Sequence, residues 1–404
     1  MIAPDLTANK SLGNLNEITP SEWLMWGKPE RHLYACVVAL HRSIQNGTAS
    51  SIISSGSAMF FHHRARAAGL LSKQLSISRH THHDPSVFWG ILMFMASHIQ
   101  ESAYSPWRMH LNAAISLRDL WRRDGFRGPC DFAYFNFMVA DIYGTSTMSL
   151  YPLSGAVIEQ HMFYMNLVGR LKVDASSSLT PIPDEMITAT AAINILRAMK
   201  GTTRPELAIS PLDILSFVQA FAPSSWAQTV CCTPDSPSQN DHASCPQSSS
   251  SSSSDDHGSW NSLALCYQAA NILYLTLTVE PRTQDFLNPH LWIDARMTAY
   301  KTLTAAIRDL LDRKCKGGTH YKFILWPMVI AGVEAVARRD RAELDLLSKS
   351  LDELSLQLGT MAMSEASSFL SALWYDYEGL GGSYGDVIAI DWDRAFVNAP
   401  IFLM

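Results

Sequence analysis

Apolar residues recur along this chain at the three- and four-residue spacing of an α-helix, often on more than one face of the same helix. The segment that follows Pro85 is the clearest case. One apolar stripe consists of Phe88, Leu92, Met95 and Ile99, and a second consists of Trp89, Met93 and Ala96. A helix that is apolar nearly all round must be surrounded by other helices. The pattern therefore predicts an all-α fold, a large domain of packed helical hairpins.

Start and stop signals place further helices. Asp84 before Pro85 is a helix start with an N-cap, and Gly359 is a helix stop. Pro327 either kinks its helix or marks its first turn. We predict the remaining helices over residues 33–44, 57–75, 106–122, 131–143, 185–200, 211–221, 260–275, 300–311, 323–339, 344–358 and 369–374. The one strand-like run is short and ambiguous, at residues 387–390.

Composition divides the chain into segments. Residues 1–30 are rich in Ser, Asn and Pro without a sustained period, which predicts a poorly ordered segment. Residues 31–404 read as one helical domain, interrupted by a disordered loop at 234–259 that contains seven consecutive serines. Such a polar segment cannot bury enough apolar surface to offset the entropy of ordering it.

Charge and apolar run length exclude several classes of protein. The net charge of −6 disfavours nucleic-acid binding through the overall field. Local basic clusters lie near predicted helix ends, where cations offset the helix dipole: Arg122, Arg123 and Arg127; Arg313, Lys314 and Lys316; Arg338, Arg339 and Arg341. The longest apolar runs, at 87–99 and 323–337, are too short for a membrane span. We expect no secretory signal, and an odd count of seven Cys indicates reduced thiols in the cytosol or nucleus.

Two clusters contain metal-ligating residue types, but neither has the spacing of a zinc site. Zinc requires four converging ligands, usually from two elements. The clusters lie in predicted loops: His80, His82, His83 and Asp84, and Cys231, Cys232, His242 and Cys245. We expect no metal site and no cofactor.

One string matches a catalytic pattern. Residues 381–385, Gly-Gly-Ser-Tyr-Gly, fit the G-x-S-x-G turn that exposes a nucleophilic serine between a strand and a helix. Here a predicted helix precedes Ser383, and the last histidine, His320, comes before it instead of after. We therefore predict a flexible turn and no catalytic residue.

Four segments in order resemble the fungus-specific transcription factor domain, which follows a zinc binuclear cluster in many fungal regulators. The first holds Trp107, His110, Leu111 and Ala114, resembling W-x-x-H-L-x-x-A. Residues 135–144 and 269–275 resemble the aromatic segment and a later helix of the family. Residues 325–335 resemble W-P-L-x-x-A-G-x-E-A, and the matching positions include Trp326, Pro327, Gly332 and Glu334. A further tryptophan, Trp374, lies at the expected distance beyond them. The resemblance covers roughly residues 50–380, and it implies packing roles for these side chains.

The resemblance implies a nuclear transcription regulator, with control of a secondary-metabolite gene cluster as its context. The family's six-cysteine cluster begins C-x2-C-x6-C, and Cys36 stands alone. We therefore expect no zinc-mediated DNA binding and expect protein partners, either a DNA-binding regulator or the transcription machinery. A small-molecule effector and a homodimer stay open.

The alternative is an enzyme or ligand-binding protein of secondary metabolism that uses the same helical fold. An apolar pocket in an aromatic-rich helical core would support it. The side chains expected to line that pocket are Trp89, Trp107, His110, Tyr134 and Tyr143.

Overall fold

A computed structural model describes thirteen stretches of the chain, and the prediction of an all-α fold is confirmed within them. They are residues 27–45, 57–78, 85–104, 107–123, 131–149, 154–171, 173, 178–200, 209–232, 252–279, 289–315, 318–378 and 387–397. These residues form fifteen α-helices and no β-strand.

The helices are named α1 to α15 in chain order. They are α1 (Lys28–Gln45), α2 (Ser57–Ser78), α3 (Pro85–Glu101), α4 (Trp107–Arg123), α5 (Asp131–Ser146), α6 (Ser154–Met165), α7 (Asp184–Ala198), α8 (Pro211–Ala220), α9 (Pro223–Cys232), α10 (Ser252–Thr278), α11 (Pro289–Lys314), α12 (Leu325–Arg338), α13 (Arg341–Leu358), α14 (Met361–Glu378) and α15 (Trp392–Val397). A 3-10 turn at His320–Phe323 leads into α12.

Neighbouring helices pack in pairs around a buried centre. The pairs are α1 with α2, α3 with α4, α6 with α7, α10 with α11, and α13 with α14. Helix α12 contacts α10, α11, α13 and α14, and every residue from Leu325 to Ala337 is buried. Helix α10 also contacts α7, α8 and α9. A helix buried all round needs apolar residues on every face, as the sequence of α12 provides.

The α1–α2 pair has a small core of its own and joins the rest through Leu71, which packs in the main core, and through polar contacts. Cys36, Leu40, Ile44 and Phe60 form that core. A ring nitrogen of His41 lies 3.0 Å from the Leu358 carbonyl, at the end of α13.

Gly359, the predicted helix stop, ends α13 with a φ of +62°. A Cβ atom there would lie 2.1 Å from Nδ1 of His41. Glycine is thus required both by the left-handed backbone and by the close approach of α1.

The structure differs from the sequence predictions at several boundaries. Helices α6, α9 and α15 were not predicted, because each is short. Helix α10 begins at Ser252, so residues 252–259 of the predicted loop are helical. Asp256 lies near its start, where a carboxylate is stabilised by the positive end of the helix dipole. Helix α11 begins at Pro289, before its predicted start at Tyr300, and α1 begins at Lys28, inside the segment expected to be poorly ordered.

Two smaller ambiguities are also resolved. Pro327 lies in the first turn of α12. A backbone N–H there would have no partner within the helix, so proline, which lacks one, loses no hydrogen bond. The strand-like run at 387–390 is extended but pairs with no strand among the described residues. Instead, the amide of Ile388 donates to the Ala337 carbonyl at 2.7 Å, at the end of α12.

Within the described part of the chain, none of the helices has the length and apolar content to cross a membrane.

The contact between α12 and α14 gives a stability prediction. A Cβ atom on Gly332 would lie 2.4 Å from Cδ1 of Leu370, so Gly332→Ala requires the fully buried Leu370 side chain to shift. We expect a loss of about 1–3 kcal/mol in the free energy of unfolding, measured by urea denaturation with circular dichroism.

Gly69→Ala is the matched control, because no atom lies within 4 Å of a Cβ atom at this exposed position in α2. It should be neutral or stabilise the chain by roughly 0.5–1 kcal/mol. Equal destabilisation by both substitutions would contradict the close approach of α12 to α14.

Candidate functional site

The centre of the fold is a polar cluster at the C-terminal end of α5. Arg197 of α7 is only 2% exposed and lies against this end. Its Nη1 donates to the Ser146 carbonyl at 3.1 Å, and its Nη2 donates to the Met148 carbonyl at 2.9 Å. The same guanidinium donates to Tyr274 Oη at 2.5 Å and to Asp393 Oδ1 at 2.6 Å. A buried cation here satisfies carbonyls that have no partner inside their own helix and offsets the helix dipole.

Three further side chains cap the same helix end. Asn194 Nδ2 donates to the Ile142 carbonyl at 2.8 Å. Trp392 Nε1 donates to the Ser146 carbonyl, and Trp326 Nε1 donates to Ser146 Oγ, both at 2.8 Å. Helices α5, α7, α12 and α15 therefore meet at one hydrogen-bonded point, which we call the α5 hub.

A second buried network lies one turn earlier on α5. Asp141 is fully buried, and its Oδ1 accepts from Arg108 Nη1 at 2.5 Å while its Oδ2 accepts from Tyr164 Oη at 2.8 Å. Arg108 Nη1 also donates to Thr145 Oγ1 at 3.1 Å. Burial by itself would raise the pKa of Asp141, but Arg108 and the other partners outweigh it and hold that pKa below its usual value. The carboxylate is therefore ionised and ties α4 and α6 to α5.

His161 of α6 lies beside this network and is 1% exposed. Burial lowers the pKa of His161 to about 4, against the opposing effect of the Asp141 charge and with help from Arg108 and Arg197. The imidazole is therefore neutral at pH 7.

The residues singled out in α12 lie at the centre of the fold. Trp326 is buried, with its ring edge-on to Tyr143 at 4.9 Å and stacked on Tyr267 at 6.1 Å between ring centroids. Glu334 is fully buried and accepts two hydrogen bonds from Arg296, at 2.9 and 2.7 Å, and one from Arg338 at 2.6 Å. A buried carboxylate needs such partners. Glu334 thus joins α12 to α11.

The residues singled out in α4 pack against α3. Trp107 and Leu111 are buried in the main core. His110 lies at the contact between these two helices, with ring centroids 5.1 Å from Phe94 and 4.8 Å from His98. The ring partners of His110 are thus both residues of α3. Burial, followed by the charge of Arg64, lowers the pKa of both histidines, that of His98 to about 4.

Trp374 of α14 is buried, and the Arg341 guanidinium lies 5.2 Å from its ring centroid. Basic residues of the predicted clusters engage acids: Arg338 with Glu334, Arg341 with Asp345 at 2.8 Å, and Arg313 with Asp309 at 2.7 Å. The side chains of Arg122 and Arg123, and all of Arg127 and Lys316, lie outside the described residues.

Most candidates for metal or catalytic chemistry lie outside the described residues. This is the case for the His80–Asp84 stretch, for His242 and Cys245, and for the 381–385 string with Ser383. Cys231 is exposed at the end of α9. Among the residues described, there is no group of three or more His, Cys, Asp or Glu arranged to hold a metal ion.

Two pockets of the described residues bear on the enzyme alternative. One, of about 740 Å³, lies between α13 and α14, and the other, of about 140 Å³, lies beside Trp374 and Ile388. None of the five side chains expected to line a ligand pocket lines either of them. Trp107, Tyr134 and Tyr143 are buried, and Trp89 packs against Phe132 at 5.7 Å between ring centroids.

Comparison with known families decides the class of the chain. The family model of the fungal specific transcription factor domain matches residues 16–403. The chain belongs to this family. The match agrees with the four segments that carry the resemblance, and it places the chain among domains of transcription regulation.

A curated relative of this fungal transcription factor domain gives a narrower context. The phomenoic acid biosynthesis cluster-specific transcriptional regulator of Leptosphaeria maculans is 26% identical over 331 residues, which cover 75% of this chain and 54% of the relative. The chain thus spans about half the length of that relative. No solved structure matches the chain.

The α5 hub of this transcription factor domain gives a second stability prediction. Arg197→Met removes a donor to the Met148 carbonyl and one of two donors to the Ser146 carbonyl, and it leaves Tyr274 and Asp393 without their cation. We expect a loss on the order of 3–5 kcal/mol in unfolding free energy, or failure to fold, because a broken buried pair leaves uncompensated polar groups. Urea denaturation measures the loss.

Lys349→Met serves as the control, since Lys349 is 78% exposed and lies 4.0 Å from Glu353. An exposed pair of this kind contributes at most about 1 kcal/mol. If Arg197→Met were as mild as Lys349→Met, the hub would not hold the helices together.

His161 predicts how the stability of the domain depends on pH. Its folded pKa of about 4 lies below the ordinary histidine pKa of 6.5, so the unfolded chain gains a proton first as pH falls. Stability is therefore fully present above pH 6.5 and is lost between 6.5 and 4, by roughly 1–3 kcal/mol from this group. His161→Gln should flatten the curve of midpoint against pH in this window.

His290→Gln, at an exposed position in α11, should leave that curve unchanged. Parallel curves for the parent chain and both variants would show that His161 does not cause the pH dependence.

Proposed function

We propose that this chain regulates transcription of a biosynthetic gene cluster for a fungal secondary metabolite, acting in the nucleus through protein partners. The family match over residues 16–403 carries the proposal, and the role of the Leptosphaeria maculans relative as a cluster-specific regulator supports its narrower part. The motif residues serve as packing and pairing groups of the scaffold: Trp107, His110, Leu111, Trp326, Pro327, Gly332, Glu334 and Trp374.

Charge supports recruitment by a partner over direct contact with DNA by the helical domain. DNA binding requires clustered cations that neutralise phosphates. The net charge is −6, and the cations at the ends of α11 and α12 engage acids of the chain, as with Arg313 and Asp309 or Arg338 and Glu334. We therefore propose that the DNA-binding function is supplied outside this helical domain. A small-molecule effector and a homodimer are further proposals for the same scaffold.

Chromatin occupancy and RNA profiling in the producing organism test the proposal together. The chain, tagged at its own locus, should occupy promoters of one biosynthetic cluster. Deletion of its gene should reduce the transcripts of that cluster coordinately, and the tagged allele should restore them. Promoter occupancy and the loss of transcripts should affect the same cluster, because a regulator acts on the promoters to which it is recruited.

Unchanged transcripts with no promoter occupancy, but an altered metabolite, would contradict regulation and favour an enzyme of the pathway. The same measurements on a strain that carries Arg197→Met serve as a control. A chain that does not fold should lose promoter occupancy, whereas a signal caused by the tag alone would persist.

A further inference from the structure

The outer faces of α13 and α14 border a groove with a volume of about 740 Å³. The two helices lie side by side, joined at Gly359 and Thr360, and each is 18 residues long, or about 27 Å. Ile44 of α1 and Met361 also line the groove. It is therefore long and open, shaped for an elongated partner and not for an enclosed small molecule.

The side chains on the floor of the groove are small, and those at its sides are large. Its α14 side is lined mainly by small side chains: Ser364, Ser367, Ser368, Ser371 and Ala372. Two large apolar side chains stand at its sides, Leu356 with 55% exposure and Tyr375 with 68% exposure. Small floor residues admit another helix closely, and large apolar side chains in water are characteristic of a binding face.

The charge around the groove is negative. Asp352 lines it, and its Oδ2 accepts from Ser367 Oγ at 3.3 Å. Two exposed carboxylates lie one helical turn from lining residues, at the edge of the groove: Glu353 and Asp376. Lys349, 4.0 Å from Glu353, is a cation on this side of α13. Acidic groups thus outnumber basic ones along the groove.

The negative charge around the groove distinguishes between two occupants, a second copy of the chain and a basic helix. A second copy of the chain would bring the same carboxylates face to face, and like charges across an interface oppose association. A helix with lysine or arginine beside its apolar stripe would instead place opposite charges along the rim.

We propose that the α13–α14 groove binds a basic amphipathic helix of a protein partner. The apolar stripe of that helix packs on the small floor between Leu356 and Tyr375, and its cations face Asp352, Glu353 and Asp376. The assignment rests on the proposed function, for which it names the surface and the chemistry of the partner.

A peptide titration of the full chain tests the assignment. The probe is a fluorescein-labelled 18-residue helix of Leu, Ala and Lys, with leucines at i, i+3, i+4 and i+7 and lysines on the flanking positions. We expect it to bind at least about tenfold more tightly than a scrambled peptide of equal composition and charge, measured by fluorescence anisotropy. A version with Glu for Lys should also bind at least about tenfold more weakly.

Variants of the chain locate the binding. Ala372→Arg fills the groove and reverses its local charge at an exposed position, so the affinity should fall at least about tenfold. Tyr375→Ala removes one apolar wall and should weaken binding in the same direction. Ala305→Arg makes the same change at an exposed alanine of α11 and should leave the affinity unchanged.

Equal binding of the designed and scrambled peptides, or no effect of Ala372→Arg in a chain that folds normally, overturns the assignment. Dimerisation of the chain that Ala372→Arg abolishes, seen by sedimentation, also overturns it in favour of a second copy. These results leave regulation untouched, because occupancy and transcripts test that separately. No promoter occupancy and unchanged transcripts after deletion, with intact peptide binding, would count against the proposed function alone.

Discussion

The buried C-terminal end of α5 sets the strictest requirement of this fold. The last carbonyls of a helix have no partner inside it, and here they lie in the middle of the protein, away from water. Arg197 and Asn194 of α7 meet that requirement, and Trp326 and Trp392 add donors from α12 and α15. Apolar burial supplies most of the driving force but has no direction. The hydrogen bonds at the α5 hub fix how these four helices are oriented.

The family residues and the proposed partner surface occupy different parts of the molecule. Trp326 and Gly332 lie inside, where they fill the core and let α12 approach α14, and Glu334 holds α11 through Arg296. The groove between α13 and α14 faces outward and contains none of them. A scaffold arranged in this way can keep its fold while the chemistry of its outer face determines which partner binds.

The sequence predicted the parts of the fold that depend on local pattern. The periodic apolar stripes of α3 and α13 and the stop at Gly359 follow from helix geometry and capping. For Pro327 the sequence left two alternatives, a kink or the first turn, and the structure decides for the first turn. The short helices α6 and α15 could not be predicted, because tertiary packing stabilises them more than their own pattern does. Glu334 was visible as one acid inside an apolar helix, but nothing local pointed to Arg296 as its partner.

The buried polar networks on α5 and the α13–α14 groove could not be predicted from the sequence for a related reason. Arg197 and Asp393 are 196 positions apart, and Arg108 and Asp141 are 33 apart, so only the folded chain brings them together. The available signal was the pair Asn194 and Arg197, one turn apart in the largely apolar second half of α7. The serines of α14 resemble ordinary surface residues until α13 is placed beside them.

Hydrogen–deuterium exchange of the intact chain tests most directly whether the α5 hub unites the domain. If it does, amides in α5, α7 and α12 exchange slowest and as one cooperative unit, while those of the separately cored α1–α2 pair exchange earlier. Early exchange at the C-terminal end of α5, at the rate of α1 and α2, would contradict the account, because the hub would then open without unfolding the rest.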